Sequence, residues 1–333
     1  MPKPPPLGVK ISGTGRCVPD KVLNNQYFVE RLDTTDAWIR ERTGILERRV
    51  VGPGESTATL ATAAARAALS DANMTPADLD AIIVATITPE CSFPSTACFV
   101  QQALGAAQIP SFDISAACSG FIYGLSIASY MIHSGVYRNV LLIGAETMSR
   151  ITDYEDRNTC ILFGDGAGAV ILSATDGLEG PCMLHHQLHA QGNGTSMLCV
   201  PAGGSRLPAS RMTVDERLHY VKMQGREVYK LAVKCNFDLV DSTIAEAGLH
   251  PDDLAIVIPH QSNLRIIESA RERLNLPPER MFTNIQRYGN TSAASIPLGL
   301  DECRKTGRVK PGDTILLVAF GAGLTWGSAL MRL

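Results

Sequence analysis

The sequence has no basic excess and no long apolar run, and each shortage removes a class of function. A net charge of -3 leaves no footprint for nucleic acid, because phosphate binding needs a concentrated basic surface. The most apolar stretch, Ile315 to Leu324, is only about ten residues and is interrupted by glycine, too short to span a bilayer. The start, Met-Pro-Lys-Pro-Pro-Pro, lacks the apolar core of an export signal, which points to a cytoplasmic protein. The nine cysteines are odd in number and show no C-x-x-C spacing, so reduced thiols are expected rather than a disulfide framework or a zinc site. His185, His186 and His189 stand close together, but no cysteine or carboxylate lies at ligand spacing beside them, and no metal is expected.

What is present is a chain of 333 residues, 45% hydrophobic and 19% charged, long enough for one large or two medium domains. It is organised around Asp113 to Leu125, where one cysteine, Cys118, stands among residues with almost no side chain. A short extended segment ending near Ile114 should turn there into a helix carrying Phe121, Ile122, Leu125 and Ala128. A thiol at a helix N-terminus is favoured as the thiolate, the nucleophilic form. Most free cysteines are nonetheless inert small hydrophobes, so the assignment needs support from the rest of the chain.

That support comes from a repeat. Asp78-Leu79 before Ala81-Ile82-Ile83 matches Asp253-Leu254 before Ile256-Val257-Ile258. Ser115 to Leu125 matches Asn290 to Leu300, and Val140 to Ile143 matches Ile315 to Val318. All three pairs stand 175 positions apart (254 minus 79, 300 minus 125, 315 minus 140). A shared offset across strand, small-residue turn and strand predicts a duplicated α/β unit: a first half over 1–174, a connection over 175–217 and a second half over 218–333. Open α/β sheets bind ligands outside strand ends, so equivalent ends should converge on one site. Opposite Cys118 the repeat places His260, after the strand Ala255 to Ile258, and Asn290, at the turn equivalent to Ser115.

Elsewhere, Asp33 to Thr43 reads as a helix with Trp38 and Arg42 on one face. Gly164-Asp165-Gly166-Ala167-Gly168 lacks the spacing of a dinucleotide fingerprint and suits close backbone packing before a strand. The connection carries Gly192-Asn193-Gly194 and Pro201-Ala202-Gly203-Gly204 and reads as a surface segment near the site. Gly225 to Gly248 is an amphipathic helix with Val228, Leu231, Ala232, Cys235 and Leu239 on its apolar stripe. Lys230 on that helix, and Arg265 and Arg273 on the next, Asn263 to Leu274, belong to the best local basic patch.

These motifs, Ala116-Ala117-Cys118-Ser119-Gly120-Phe121, Gly164 to Ala169, Pro259-His260-Gln261-Ser262-Asn263, Gly289 to Ser295 and Phe320 to Gly327, resemble beta-ketoacyl-acyl-carrier-protein synthase III. The resemblance runs in order from about Val9 to Leu333. It implies the thiolase-type fold, a layered αβαβα duplication, in a cytoplasmic homodimer that uses coenzyme A thioester as substrate and no cofactor. It implies Cys118, His260 and Asn290 as catalytic residues, with the amides of Cys118 and Ala322 as the oxyanion hole. Trp38, Arg42, Arg157 and Asn263 would hold coenzyme A, and Phe93 would close the acyl pocket of the neighbouring subunit. Lys230, Arg265 and Arg273 would meet the acidic carrier protein. The implied reaction is the initiating condensation of fatty acid synthesis, from an acyl-coenzyme A, acetyl above all, and malonyl-carrier protein. A polyketide or quinolone starter-unit enzyme with the same three residues is the close alternative.

Overall fold

Two sheets carry one strand pattern. The computed structural model describes residues 7–176 and 180–333, apart from the Asn236 side chain, so the proline-rich start at residues 1–6 lies outside the described residues. The first sheet contains β1 (Gly8–Cys17), β2 (Ala81–Ala85), β3 (Ser111–Ile114), β4 (Asn139–Thr147) and β5 (Asp165–Thr175), side by side as β1-β5-β4-β2-β3. The second contains β6 (Cys182–Ala190), β7 (Ile256–Pro259), β8 (Thr314–Gly321) and β9 (Thr325–Arg332), side by side as β6-β9-β8-β7. In both, the two strands after the edge strand run antiparallel and the next pairs parallel. The place of β3 is taken in the second sheet by a parallel bridge from Met281 to Val257.

Strand period two assigns the faces, and the helices cover them. Seven helices matter here: α1 (Asp36–Thr43), α2 (Thr57–Asp71), α3 (Thr96–Leu104), α4 (Gly120–His133), α5 (Gly225–Glu246), α6 (Leu264–Arg273) and α7 (Ser295–Lys305). Ile82, Val84, Leu141 and Ile143 pack against the alanine-rich face of α2 and against α3. Their neighbours Ala81, Ile83, Val140 and Leu142 turn the other way, onto Phe121, Leu125 and Ile132 of α4 and Ile296 and Leu300 of α7. The same central layer receives Ile256, Ile258, Ile315 and Leu317, while Val257, Leu316 and Val318 face α5 and α6. The result is five layers, αβαβα. Each fully buried large side chain contributes roughly 1.5–3 kcal/mol, so the central layer welds the two halves together.

The backbone repeats in detail. One-turn 3₁₀ segments at Pro76–Asp78 and Pro251–Asp253 precede β2 and β7. Ala117 and Ser292, again 175 apart (292 minus 117), are both left-handed, with φ of 47° and 48°. A left-handed residue other than glycine costs roughly 1–2 kcal/mol, so the turn before α4 and before α7 is held in place by its surroundings.

One expectation changes. The 175–217 segment is not only a surface connection, because β6 lies within it and pairs along its length with β9. Its histidines are the side chains of that strand: His186 Nδ1 lies 3.1 Å from Ser126 Oγ, whereas His185 Nε2 lies 3.3 Å from Glu246. Polar residues on an edge strand had the look of a loop.

Candidate active site

The small-residue stretch does what its composition suggests. After β3 the chain makes a 3₁₀ turn, Ala117–Ser119, and enters α4, which places Cys118 at the helix start. Gly321 at the end of β8 lies so close that a Cβ there would come 2.8 Å from the Cys118 nitrogen. Thr325 ties the two segments, with its hydroxyl 3.1 Å from Ala116 O, 3.0 Å from Ala322 O and 2.7 Å from Ser119 Oγ. The backbone of Ala322 is thereby fixed beside the nucleophile turn.

His260 follows β7, and its backbone nitrogen donates to Val318 O at 2.7 Å. The ring Nδ1 lies 2.7 Å from Ser295 Oγ, in the first turn of α7, which leaves Nε2 as the free ring nitrogen. Burial pushes the imidazole down to about 3, so it is neutral across the physiological range. Asn290 is pinned through its backbone: its nitrogen donates to Leu162 O at 2.9 Å and its carbonyl accepts from Gly164 at 3.0 Å. Gly164 permits this approach, since a Cβ there would lie 2.2 Å from Tyr288 O. The Ser292 amide donates to Asn290 Oδ1 at 2.9 Å, so the amide nitrogen of the side chain is the group left to face a ligand.

Cys118, His260 and Asn290 line one cavity of about 1050 Å³, its open mouth included, together with Phe163, Tyr229, Ile266 and Phe320. One expectation is corrected here. The Cys118 thiol is pushed up to about 12 by burial, against the opposing effect of the Ser292 hydroxyl, so burial works against the thiolate expected at a helix N-terminus. The helix N-terminus was read correctly, but taking the sulfur out of water is the larger effect.

The four residues expected at coenzyme A also come together. The Arg42 and Arg157 guanidinium carbons lie 5.9 and 5.4 Å from the Trp38 ring centroid, and Asn263, which lines the cavity, donates to Arg42 O at 2.9 Å. The basic residues divide. Lys230 pairs with Glu227 at 3.1 Å and Arg273 with Asp241 at 3.3 Å, whereas Arg265 sits 5.8 Å from the ring of Tyr229, at the cavity wall. Phe93 is not among the residues lining the cavity; it is 84% exposed at a loop tip. Ser292, Ser295 and Tyr229 had not been singled out. The repeat offered a signal for Ser292, as the counterpart of Ala117, but none for the pairing of Ser295 with His260.

Comparison with known proteins agrees with this geometry. The signature described as 3-oxoacyl-[acyl-carrier-protein (ACP)] synthase III matches residues 112–192, and its C-terminal counterpart matches residues 244–333. The chain is 52% identical over 326 residues to the beta-ketoacyl-[acyl-carrier-protein] synthase III of Caldanaerobacter subterraneus subsp. tengcongensis, covering 98% of each. The crystal structure of 3-oxoacyl-[acyl-carrier-protein] synthase III from Aquifex aeolicus VF5 superposes with a TM-score of 0.90 at 47% identity, over 98% of this chain and 100% of that one. The priming beta-ketosynthase of the R1128 polyketide biosynthetic pathway superposes with a TM-score of 0.91 at 33% identity, over 100% of this chain and 98% of that one. Fold and site thus define a thiolase-type condensing acyltransferase. Within that class, the chain belongs to the 3-oxoacyl-[acyl-carrier-protein] synthase III family, which carries out the initiating condensation of fatty acid synthesis.

Proposed function

We propose that Cys118 takes an acyl group, acetyl above all, from coenzyme A and that the acyl-enzyme then condenses with malonyl-carrier protein. The observation that carries this reading is the meeting of Cys118, neutral His260 and the free amide of Asn290 in one buried cavity. The sulfur attacks the thioester carbonyl, splitting one condensation into two easier steps. The amides of Cys118 and Ala322 stabilise the tetrahedral oxyanion. Malonyl-carrier protein then loses carbon dioxide, and the electron pair left behind forms an enolate. His260 Nε2 and Asn290 Nδ2 donate to the thioester oxygen on which that charge develops. The enolate attacks the acyl-cysteine and releases 3-oxoacyl-carrier protein.

Trp38, Arg42, Arg157 and Asn263 hold the coenzyme A nucleotide and the entrance; Lys230, Arg265 and Arg273 receive the acidic carrier. The protein acts as a cytoplasmic homodimer without a cofactor, each Phe93 capping the partner's acyl pocket. The higher identity to fatty acid enzymes than to the R1128 priming enzyme favours the fatty acid role over a polyketide or quinolone starter role. Intact-protein mass after incubation with a panel of acyl-coenzymes A tests the assignment. An acetyl adduct on Cys118, discharged by malonyl-carrier protein, is expected; no adduct with any member of the panel would refute it.

A further inference from the structure

Glu146, at the end of β4, is a completely buried carboxylate with no part in the reaction described above. Its Oε2 accepts from Thr86 Oγ1 at 3.2 Å, Ile87 N at 3.1 Å, and Thr88 N and Oγ1 at 3.1 and 2.6 Å, all in the segment after β2. Its Oε1 accepts from the Ser292 hydroxyl at 3.0 Å, in the turn before α7, so this side chain joins the two halves. No cation pairs with it among the described residues, and burial pushes it up to about 7. Replacing buried charges by apolar side chains is often neutral or stabilising, so the carboxylate calls for a role besides packing.

The repeat indicates that role. Glu146 stands 175 positions before Gly321 (321 minus 146), and the ladders agree, since Ala81 pairs with Val140 as Ile256 pairs with Ile315. Each of the two residues abuts the left-handed turn of the opposite half. A Cβ on Gly321 would come 2.8 Å from the nitrogen of Cys118, the residue after Ala117, whereas Glu146 reaches Ser292, the counterpart of Ala117. At the nucleophile turn the glycine leaves room, and the hydroxyl of Thr325 ties the turn instead. At the second turn the carboxylate is itself the tie. Ser292 has a φ of 48°, a conformation that L-residues adopt at a cost, and the N–H of this same residue fixes Asn290 Oδ1 at 2.9 Å.

We propose that Glu146 is a positioning residue for Asn290: its bond to the Ser292 hydroxyl holds the left-handed backbone whose N–H orients the Asn290 amide. The proposal rests on the condensing reading above and deepens it, because an amide that swings away no longer donates to the enolate oxygen. Glu146 is not among the residues lining the cavity, so it acts through Ser292 and not on the substrate. The first half thus supplies the nucleophile and also the hold on the donor that the second half contributes.

The test measures labelled carbon dioxide release from malonyl-carrier protein in a Cys118→Ala parent, which takes the sulfur out of the comparison. Glu146→Ala should lower kcat for release by roughly 10- to 10²-fold, the scale of a misplaced reacting group, with KM for malonyl-carrier protein nearly unchanged. Glu146→Gln should recover most of that loss, because its oxygen can stay with Thr86, Ile87 and Thr88 while its amide donates to Ser292 Oγ. Ser292→Ala leaves the carboxylate in place and removes the tie, so it should lose kcat to a similar degree, and it serves where Glu146→Ala does not fold. The deciding readout is a double-mutant comparison: with Asn290→Ala added, neither Glu146→Ala nor Ser292→Ala should slow release further. A full further loss on top of Asn290→Ala would make Glu146 a packing residue and overturn the proposal. Release at the parent's rate in Ser292→Ala would overturn it too, by showing that the turn holds without the tie. A Cys118→Ala parent that releases no carbon dioxide would instead overturn the assignment of the two donors in the condensing reading, and this proposal with it.

Discussion

Ser295 holds His260: its hydroxyl lies 2.7 Å from the ring Nδ1, and both side chains are buried. The contact crosses from the end of β7 to the start of α7 and fixes which ring nitrogen reaches the cavity. Ser295→Ala frees the ring and leaves Nδ1 without its buried partner. Outer partners of a functional histidine typically matter by roughly 10- to 100-fold. Carbon dioxide release from malonyl-carrier protein should fall by that order, with acetyl-adduct formation much less affected; equal loss of both would make Ser295 a packing residue.

The two buried titrating groups set opposite pH trends in stability. His260 is pushed down to about 3 from an ordinary 6.5, so the unfolded chain binds the extra proton below 6.5. Its contribution is complete above pH 6.5 and falls as pH drops toward 3, with a limiting slope of about 1.4 kcal/mol per pH unit. Glu146 is raised from 4.5 to about 7, so its contribution is complete below pH 4.5 and is lost as pH rises to 7. Urea midpoints across this range should show Glu146→Gln gaining on the wild type from pH 4.5 to 7, and His260→Asn gaining on it as pH falls below 6.5. Parallel curves would mean that neither group changes its proton affinity on folding.

Much of this was legible in the sequence, for physical reasons. An offset of 175 needs only matched apolar strands and small-residue turns, so Leu79/Leu254 and Leu125/Leu300 revealed the duplication before any contact was known. The same symmetry brought Cys118, His260 and Asn290 to one cavity. What the pattern did not carry was burial. The Cys118 thiol is governed by removal from water, which depends on residues as distant as Phe320 and Ser292. Ser295 and Glu146 find hydrogen-bond partners 35 and 146 positions away, and no local motif marks such pairs. The strand β6 was missed because His185, His186 and His189 are polar residues on an edge, where one side of the ladder lacks a neighbour.

The proposed acyl cap makes primer length turn on Phe93. The ring stands 84% exposed on its own chain, an unusual placement for a large apolar group and one suited to covering by a second subunit. Phe93→Thr should admit acyl chains that the wild type rejects, measured as adduct mass with acetyl- to dodecanoyl-coenzyme A. Wild-type acylation by dodecanoyl-coenzyme A as fast as by acetyl would end this assignment.

The proposed carrier surface makes docking turn on Arg265. Unlike Lys230 and Arg273, it carries no ion pair among the described residues and lies over Tyr229 at the cavity wall. A rim charge of this kind steers an acidic partner and weakens with salt. Arg265→Glu should raise the KM for malonyl-carrier protein and flatten its salt dependence, with acyl transfer from coenzyme A nearly unchanged. Equal damage to both half-reactions would show Arg265 to be structural.

The division of labour across the repeat can be separated by mutation. Asn290 offers Nδ2 because Ser292 occupies Oδ1, and in the proposed mechanism that donor is needed only when negative charge builds on the malonyl thioester oxygen. Asn290→Ala should therefore acetylate normally, while decarboxylation falls by roughly 10²- to 10³-fold, the usual scale for a lost donor to a developing oxyanion. His260→Ala should lose decarboxylation to a similar degree. Cys118→Ala should do the reverse: no covalent adduct forms, but both donors remain to release carbon dioxide from malonyl-carrier protein unproductively. Intact-protein mass for the adduct and labelled carbon dioxide for decarboxylation measure the two steps on the same preparations. An Asn290→Ala protein that cannot be acetylated, or that decarboxylates at the wild-type rate, would falsify the assignment, since it would place this amide in the acylation step or outside the chemistry altogether.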